Sequence, residues 1–191
     1  MIFGRRKRSK ALEILAGSDW RCATCKQLHK GMFDLAAATP DFWEGSEEYQ
    51  PNGALRLGGD FLSEDFCVAG GEHFFVRCVF EIPVRGLRHR FGFGVWSTLS
   101  RKNFELYVDH FDDGAYSLKE AWSGWFGNHL KGVPADTLNQ ACWVTPRRDR
   151  QRPVVEFMDD THPLARAQIE GVEPEFVLAL YAANGHPVAE A

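Results

Sequence analysis

The sequence lacks any run approaching the ~18–20 apolar residues that a membrane span requires, so no membrane partner is expected. It also lacks the even, closely spaced cysteines of a small disulfide-stapled domain. Its five cysteines suit free thiols or metal ligands in a reducing compartment. No Gly-rich phosphate loop follows a strand, no Gly-x-Ser-x-Gly elbow is present, and no His-Glu-x-x-His helix occurs. Those absences remove familiar signatures of phosphate binding, serine hydrolysis and zinc proteolysis. Internal repeats and low-complexity segments are absent too. The opening MIFGRRKRSK places charge behind a short apolar tip with no h-region after it. No signal peptide is therefore expected, and the cytoplasm is the expected compartment.

What is present fits one globular domain. A chain of 191 residues buries roughly 70% of its unfolded surface and needs neither disulfide nor metal merely to fold. Fifteen Phe and six Trp predict a core of large rings, with an aromatic binding surface as the alternative. Charge is uneven. Arg5, Arg6, Lys7, Arg8 and Lys10 crowd the first ten residues without an acid, and removing those five from the net −4 leaves the remainder at −9. The arm has no interleaved aromatics for base stacking, and the acidic body argues against nucleic acid as a partner. An acidic body suits a basic protein partner, though solubility accounts for it equally. Residues 1–18 are thus expected to be a basic arm and short helix, and 19–191 a single α+β domain.

The pattern along the chain supports that class. Ala11–Ala16 predicts a short helix closed by Gly17. Thr39-Pro40 reads as an N-cap and first helical residue, predicting a helix through Trp43. Residues 44–60 read as a polar surface loop with at most a short strand near Leu55. His73–Ile82 is the clearest strand, with Phe74, Val76, Cys78, Phe80 and Ile82 alternating onto one face. A turn at Arg85-Gly86 leads to Arg90–Leu99, where Gly92 and Gly94 oppose the apolar face and predict close backbone approach or a bulge. Ser100 should cap a helix to about Phe111. Trp122–Phe126, Thr137–Thr145 and Pro153–Met158 read as strands. Pro163–Ile169 and Pro174–Ala183 read as helices. The sum is a twisted, mainly antiparallel sheet flanked by helices.

One local motif carries specific chemistry. In Cys22-Ala-Thr-Cys25-Lys-Gln-Leu-His29, a Cys-x2-Cys turn aims two thiolates at one point and the histidine supplies a third ligand for a tetrahedral Zn ion. Cys67, at a loop-to-strand edge, is the expected fourth. Cys78 and Cys142 lie in apolar strands and read as small core residues. Two idle thiols, or a redox dithiol, are the alternatives. Were the metal to keep an open position, Glu64 or Asp65 would serve as base or as a partner to its ligands. His162, before Pro163, reads either as an imidazole held at a helix N-terminus or as the plain start of that helix.

These residues, in this order, resemble a bacterial family. Cys22-x2-Cys25-x3-His29, Asp65-x-Cys67, FFVRCVFEIPV at 74–84, GFGVWSTLS at 92–100 and Thr161-His162-Pro163-Leu164 are similar to the family catalogued as domain of unknown function 2199, over roughly residues 19–171. Members usually carry Gly after the second Cys, where a left-handed backbone is relieved by it; this chain has Lys26. The resemblance implies a cytoplasmic bacterial protein whose Cys and His positions belong to a family pattern, with no activity attached. The leading expectation is a non-catalytic, zinc-stabilised protein-binding module, of the class of immunity proteins that mask another protein. A zinc hydrolase using Cys22, Cys25, His29 and water is the rival, and a thiol redox protein a weaker third.

Overall fold

The computed structural model describes residues 9–116 and 120–189; most of the basic arm lies outside them. Helix α1 (Lys10–Leu15) precedes a small hairpin of β1 (Asp19–Arg21) and β2 (Leu28–Lys30), then β3 (Leu35–Ala36), β4 (Phe61–Leu62) and β5 (Phe66–Ala69). The long strands β6 (His73–Pro83) and β7 (Arg90–Leu99) lead into α2 (Arg101–Asp109). After it come β8 (Trp122–Trp125), β9 (Ala141–Thr145), β10 (Val154–Phe157), α3 (Pro163–Glu170) and α4 (Pro174–Ala183). The class is mixed α+β, as the alternation of elements implied.

The main sheet runs β3-β7-β6-β10-β9-β8; β5 pairs with the first half of β6, and β4 pairs with β5. Most pairs are antiparallel; β3 with β7 and β10 with β6 are parallel. The sheet curls so far that β8 returns to β7. There Ser97 bridges Phe126, the Gly127 N–H donates to the Trp96 carbonyl at 2.7 Å, and the Trp125 N–H donates to Thr98 Oγ1 at 2.9 Å. A Cβ on Gly124 would collide with the Thr98 carbonyl oxygen, so only glycine lets this seam close.

Inside the curl the predicted face of β6 packs as alternation requires. Phe80 lies 5.9 Å from Phe126 and 5.4 Å from Phe157, ring to ring, and Cys142 Sγ sits 3.2 Å from Ser97 Oγ. Helix α2 starts at Ser100, whose hydroxyl accepts from the Asn103 N–H, and buries Phe104 and Tyr107 against Phe66. Gly92 and Gly94 face an incoming strand: the Gly92 N–H donates to Asp34 Oδ1, and Gly94 packs on Ala36 of β3.

Two expectations need correction. Residues 39–43 form a turn rather than a helix, because the Asp41 N–H and side chain are taken by Gly127, Asn128 and His129. The 44–60 loop, expected to hold at most a short strand near Leu55, forms none there and makes one 3-10 turn at Asn52–Ala54. Strand β9 begins at Ala141 and not at Thr137, whose hydroxyl is engaged with the Asn128 carbonyl and the Leu130 N–H. The outer face of β5–β7 is also more buried than alternation alone implies. Leu62, Cys67, Ala69, Phe75 and Trp96 form a second apolar cluster there, with Ala37 and Trp43 packed on it.

Candidate metal centre

The β1–β2 hairpin pairs Trp20 with His29 and Arg21 with Leu28. The six residues between the strands close on themselves: the Cys22 N–H donates to the Gln27 carbonyl and the Lys26 N–H to the Cys22 carbonyl. Lys26 takes φ +61°, the left-handed position that glycine would fill without strain. Two contacts hold it: Lys26 Nζ donates to the Ala23 carbonyl and Arg21 Nη1 to the Lys26 carbonyl, both at 2.6 Å. This turn aims the Thr24 and Cys25 N–H groups at Cys22 Sγ, each at 3.4 Å. Burial opposes ionisation of Cys22, but those two N–H groups, with the Cys25 and His186 side chains, outweigh it and bring the thiol down to about 7.

The fourth group comes from the far end of the chain. Helix α4 stops at Asn184, and Gly185 at φ +84° turns the backbone. The returning tail lies against the knuckle. Ala23 N–H donates to the Pro187 carbonyl at 2.7 Å, Ala189 N–H donates to the Arg21 carbonyl at 2.8 Å, and Cys22 bridges Val188. His186 Nδ1 thereby reaches 3.9 Å from Cys22 Sγ, while His29 Nε2 lies 3.8 Å from Cys25 Sγ. The ligand atoms of Cys22, Cys25, His29 and His186 all fall within 4.8 Å of one another. A zinc tetrahedron with bonds of about 2.3 Å to sulfur and about 2.0 Å to nitrogen has sulfur–nitrogen edges of about 3.5 Å. The two sulfur–nitrogen contacts exceed that by a few tenths of an ångström, so this Cys/Cys/His/His cluster could hold a metal ion.

Packed rings orient both imidazoles. His29 stacks with Trp20 at 4.7 Å and with Phe33 at 4.9 Å, and His186 stands edge-on to His29 and Phe33. Tyr181 of α4 stacks on Phe33 at 4.4 Å and exchanges two hydrogen bonds with its backbone, which fixes the helix, and so the tail, to the hairpin. Cys22 is wholly buried, Cys25 is exposed, and the two histidines are half-buried.

Cys67 is not in this cluster. It lies in β5, paired with Leu62 on one side and Phe75 on the other, fully buried. Burial, with the Asp60 charge, pushes its thiol up to about 12. The Asp65 and Gly70-Gly71 turns flanking it are real ends of a strand, but that strand is interior. Asp65 binds Asn52 Nδ2 at 3.0 Å and Arg152 Nε at 3.4 Å, also outside the cluster. His162 caps α3: its Nδ1 accepts from the Leu164 N–H and its Nε2 meets the Asp136 carbonyl. Sequence reasoning missed His186, which stands 164 residues from Cys22. The Asn184-Gly185 helix stop was visible, but nothing in the spacing says where the tail then goes. All five cysteines are free thiols, and no described helix is long and apolar enough to cross a membrane.

No curated protein and no solved structure matches the chain. The family described as uncharacterized protein conserved in bacteria matches residues 21–172, a span that holds Cys22, Cys25 and His29 and ends before His186. The chain belongs to that family, DUF2199.

Proposed function

We propose that this protein is a non-catalytic protein-binding module whose ends are clasped by a structural zinc ion on Cys22, Cys25, His29 and His186. The observation that carries the reading is the set of four ligand atoms within 4.8 Å. Two thiolates and two imidazoles satisfy Zn²⁺ with no water-filled position, and a closed site is structural. The hydrolase alternative needs an open position and a nearby base, and Asp65 is instead bonded to Asn52 and Arg152. The lowered Cys22 thiol would serve a redox dithiol as well as a metal, but two histidines converging on the same point favour the metal.

The binding role draws on a surface outside the Cys/His cluster. Trp125 on β8 and Trp143 on β9 point outward, 56% and 45% exposed, on the same face of adjacent strands. Trp125 and Phe42, 40% exposed, also line a cleft of about 370 Å³. Exposed apolar surface of this kind marks interaction sites, and a basic protein would complement the acidic body, as in toxin-masking immunity proteins. Elemental analysis of protein purified without chelator should find one zinc per chain. Cobalt substituted for it should give tetrahedral, thiolate-containing spectra that added azide leaves unchanged. An azide response would favour the hydrolase, and a metal-free chain would remove the clasp. Trp125→Ser with Trp143→Ser should retain metal and fold while abolishing capture of a protein partner from the native host; unchanged capture would move the interface elsewhere.

A further inference from the structure

We propose that Cys22 and Cys25 form a peroxide-reactive pair, whose oxidation to a disulfide expels the zinc and releases the tail carrying His186. This rests on the zinc reading above. Three observations carry it: the sulfurs lie within 4.8 Å of each other in a Cys-x2-Cys turn, one is open to solvent while its neighbour is buried, and the tail depends on the same sulfur.

The solvent-facing thiolate is Cys25, and Cys22 is shielded behind it. Peroxide therefore meets Cys25 first. The Cys25 sulfur attacks one peroxide oxygen; an S–O bond forms, the O–O bond breaks, and hydroxide leaves, giving a sulfenic acid. Cys22 then attacks the Cys25 sulfur; the S–S bond forms, the S–O bond breaks, and a second hydroxide leaves. Two thiolates have lost two electrons and one peroxide has gained them. Zn²⁺ is left with two imidazoles, too few to retain it. Cys67, Cys78 and Cys142 are fully buried in the sheet, and burial holds each as a protonated, inert thiol.

Expulsion has a structural consequence. Beyond the metal, the tail is tied to the knuckle by two backbone hydrogen bonds, Ala23 to Pro187 and Ala189 to Arg21. Closing the disulfide pulls Cys22 Sγ away from His186 and disturbs the turn that makes the first of them. The tail then lifts from the Trp20–His29–Phe33 stack, which His186 covers edge-on.

The test uses the full chain, with its zinc counted before any oxidant is added. Hydrogen peroxide is titrated in the presence of a chromogenic zinc chelator, with intact mass and peptide mapping on the same samples. The expected result is one zinc released for each loss of two hydrogens in mass. The bond should map to Cys22 and Cys25, amide exchange at Ala23 and Ala189 should rise at least tenfold, and dithiothreitol with added zinc should reverse all of it. A chain that purifies without zinc overturns both readings. A zinc-loaded chain that keeps its metal under peroxide, or gains oxygen at Cys25 without the disulfide, overturns this one and leaves the clasp standing.

Discussion

Replacing His186 with alanine removes one of the four proposed ligands while leaving the Cys22–Cys25 turn's own residues in place, and the size of the effect can be worked out. Structural zinc binds four-ligand peptide sites with about 10–16 kcal/mol in total, so one ligand of four is worth ~3 kcal/mol. At 1.4 kcal/mol per decade that is a loss of roughly a hundredfold in zinc affinity. The imidazole is half-buried in the tail just after α4, so its removal leaves no sealed cavity in the main core to add to that figure. Competition against a calibrated chelator measures the affinity directly. Cobalt-loaded His186→Ala should in addition respond to azide, since water takes the vacated position. Cys67→Ala is the paired control, because Cys67 lies between β4 and β6: it should lower stability through lost packing yet leave zinc affinity within about twofold. Undiminished affinity in His186→Ala, or a hundredfold loss in Cys67→Ala, would refute the assignment of the fourth ligand.

Phe80 is 1% exposed between Phe126 and Phe157, so Phe80→Ala should cost about 3–5 kcal/mol in a denaturant melt; a loss under about 1 kcal/mol would mean the strand faces the other way. Lys26→Gly relieves the left-handed strain at φ +61° and should keep zinc content unchanged while raising stability by up to about 1 kcal/mol, read from the same melt. In metal-free protein the Cys22 thiol sits near 7 against an ordinary value of 9, so its thiolate stabilises the fold fully above pH 9 and not below 7. The melting temperature measured in chelator should climb between those limits, and Cys22→Ser should remove that part of the climb. Above pH 9 the trend reverses, because Cys67 and Cys142, pushed up to about 12 and about 11, ionise more readily unfolded.

What the sequence disclosed, it disclosed through short-range periodicity and termination chemistry. The β6–β7 hairpin follows from ten alternating residues on each side of Gly86, and α2, α3 and α4 from Ser100, Pro163 and Pro174 at their starts. Three of the four residues of the Cys/His cluster were legible for the same reason, since Cys22, Cys25 and His29 are joined by a single turn. The rest depends on pairings between distant segments. Cys67 looks exposed when only Asp65 and Gly70 are considered; it is β4 and β6 on either side, and the cluster of Phe75 and Trp96 with Ala37 and Trp43 packed on it, that bury it. His186 carries no local mark of ligation, because its position is set by Tyr181 stacking on Phe33. The Thr39-Pro40 start signal was genuine in form, but tertiary hydrogen bonds from Asp41 to residues 127–129 overrode it.

The distance along the chain between the knuckle and His186 also fixes when the site can be finished. Ribosomes deliver Cys22, Cys25 and His29 early, and any metal these three collect is held loosely until α4 has been made and docked. Only then does the tail turn at Gly185 and supply the final imidazole. If the cluster holds zinc as proposed, tight binding is a late event, and a chain arrested or misfolded anywhere between β2 and α4 would surrender the metal to competing chelators. Metal retention would then report whether the stretch from the β1–β2 hairpin through α4 has folded and docked.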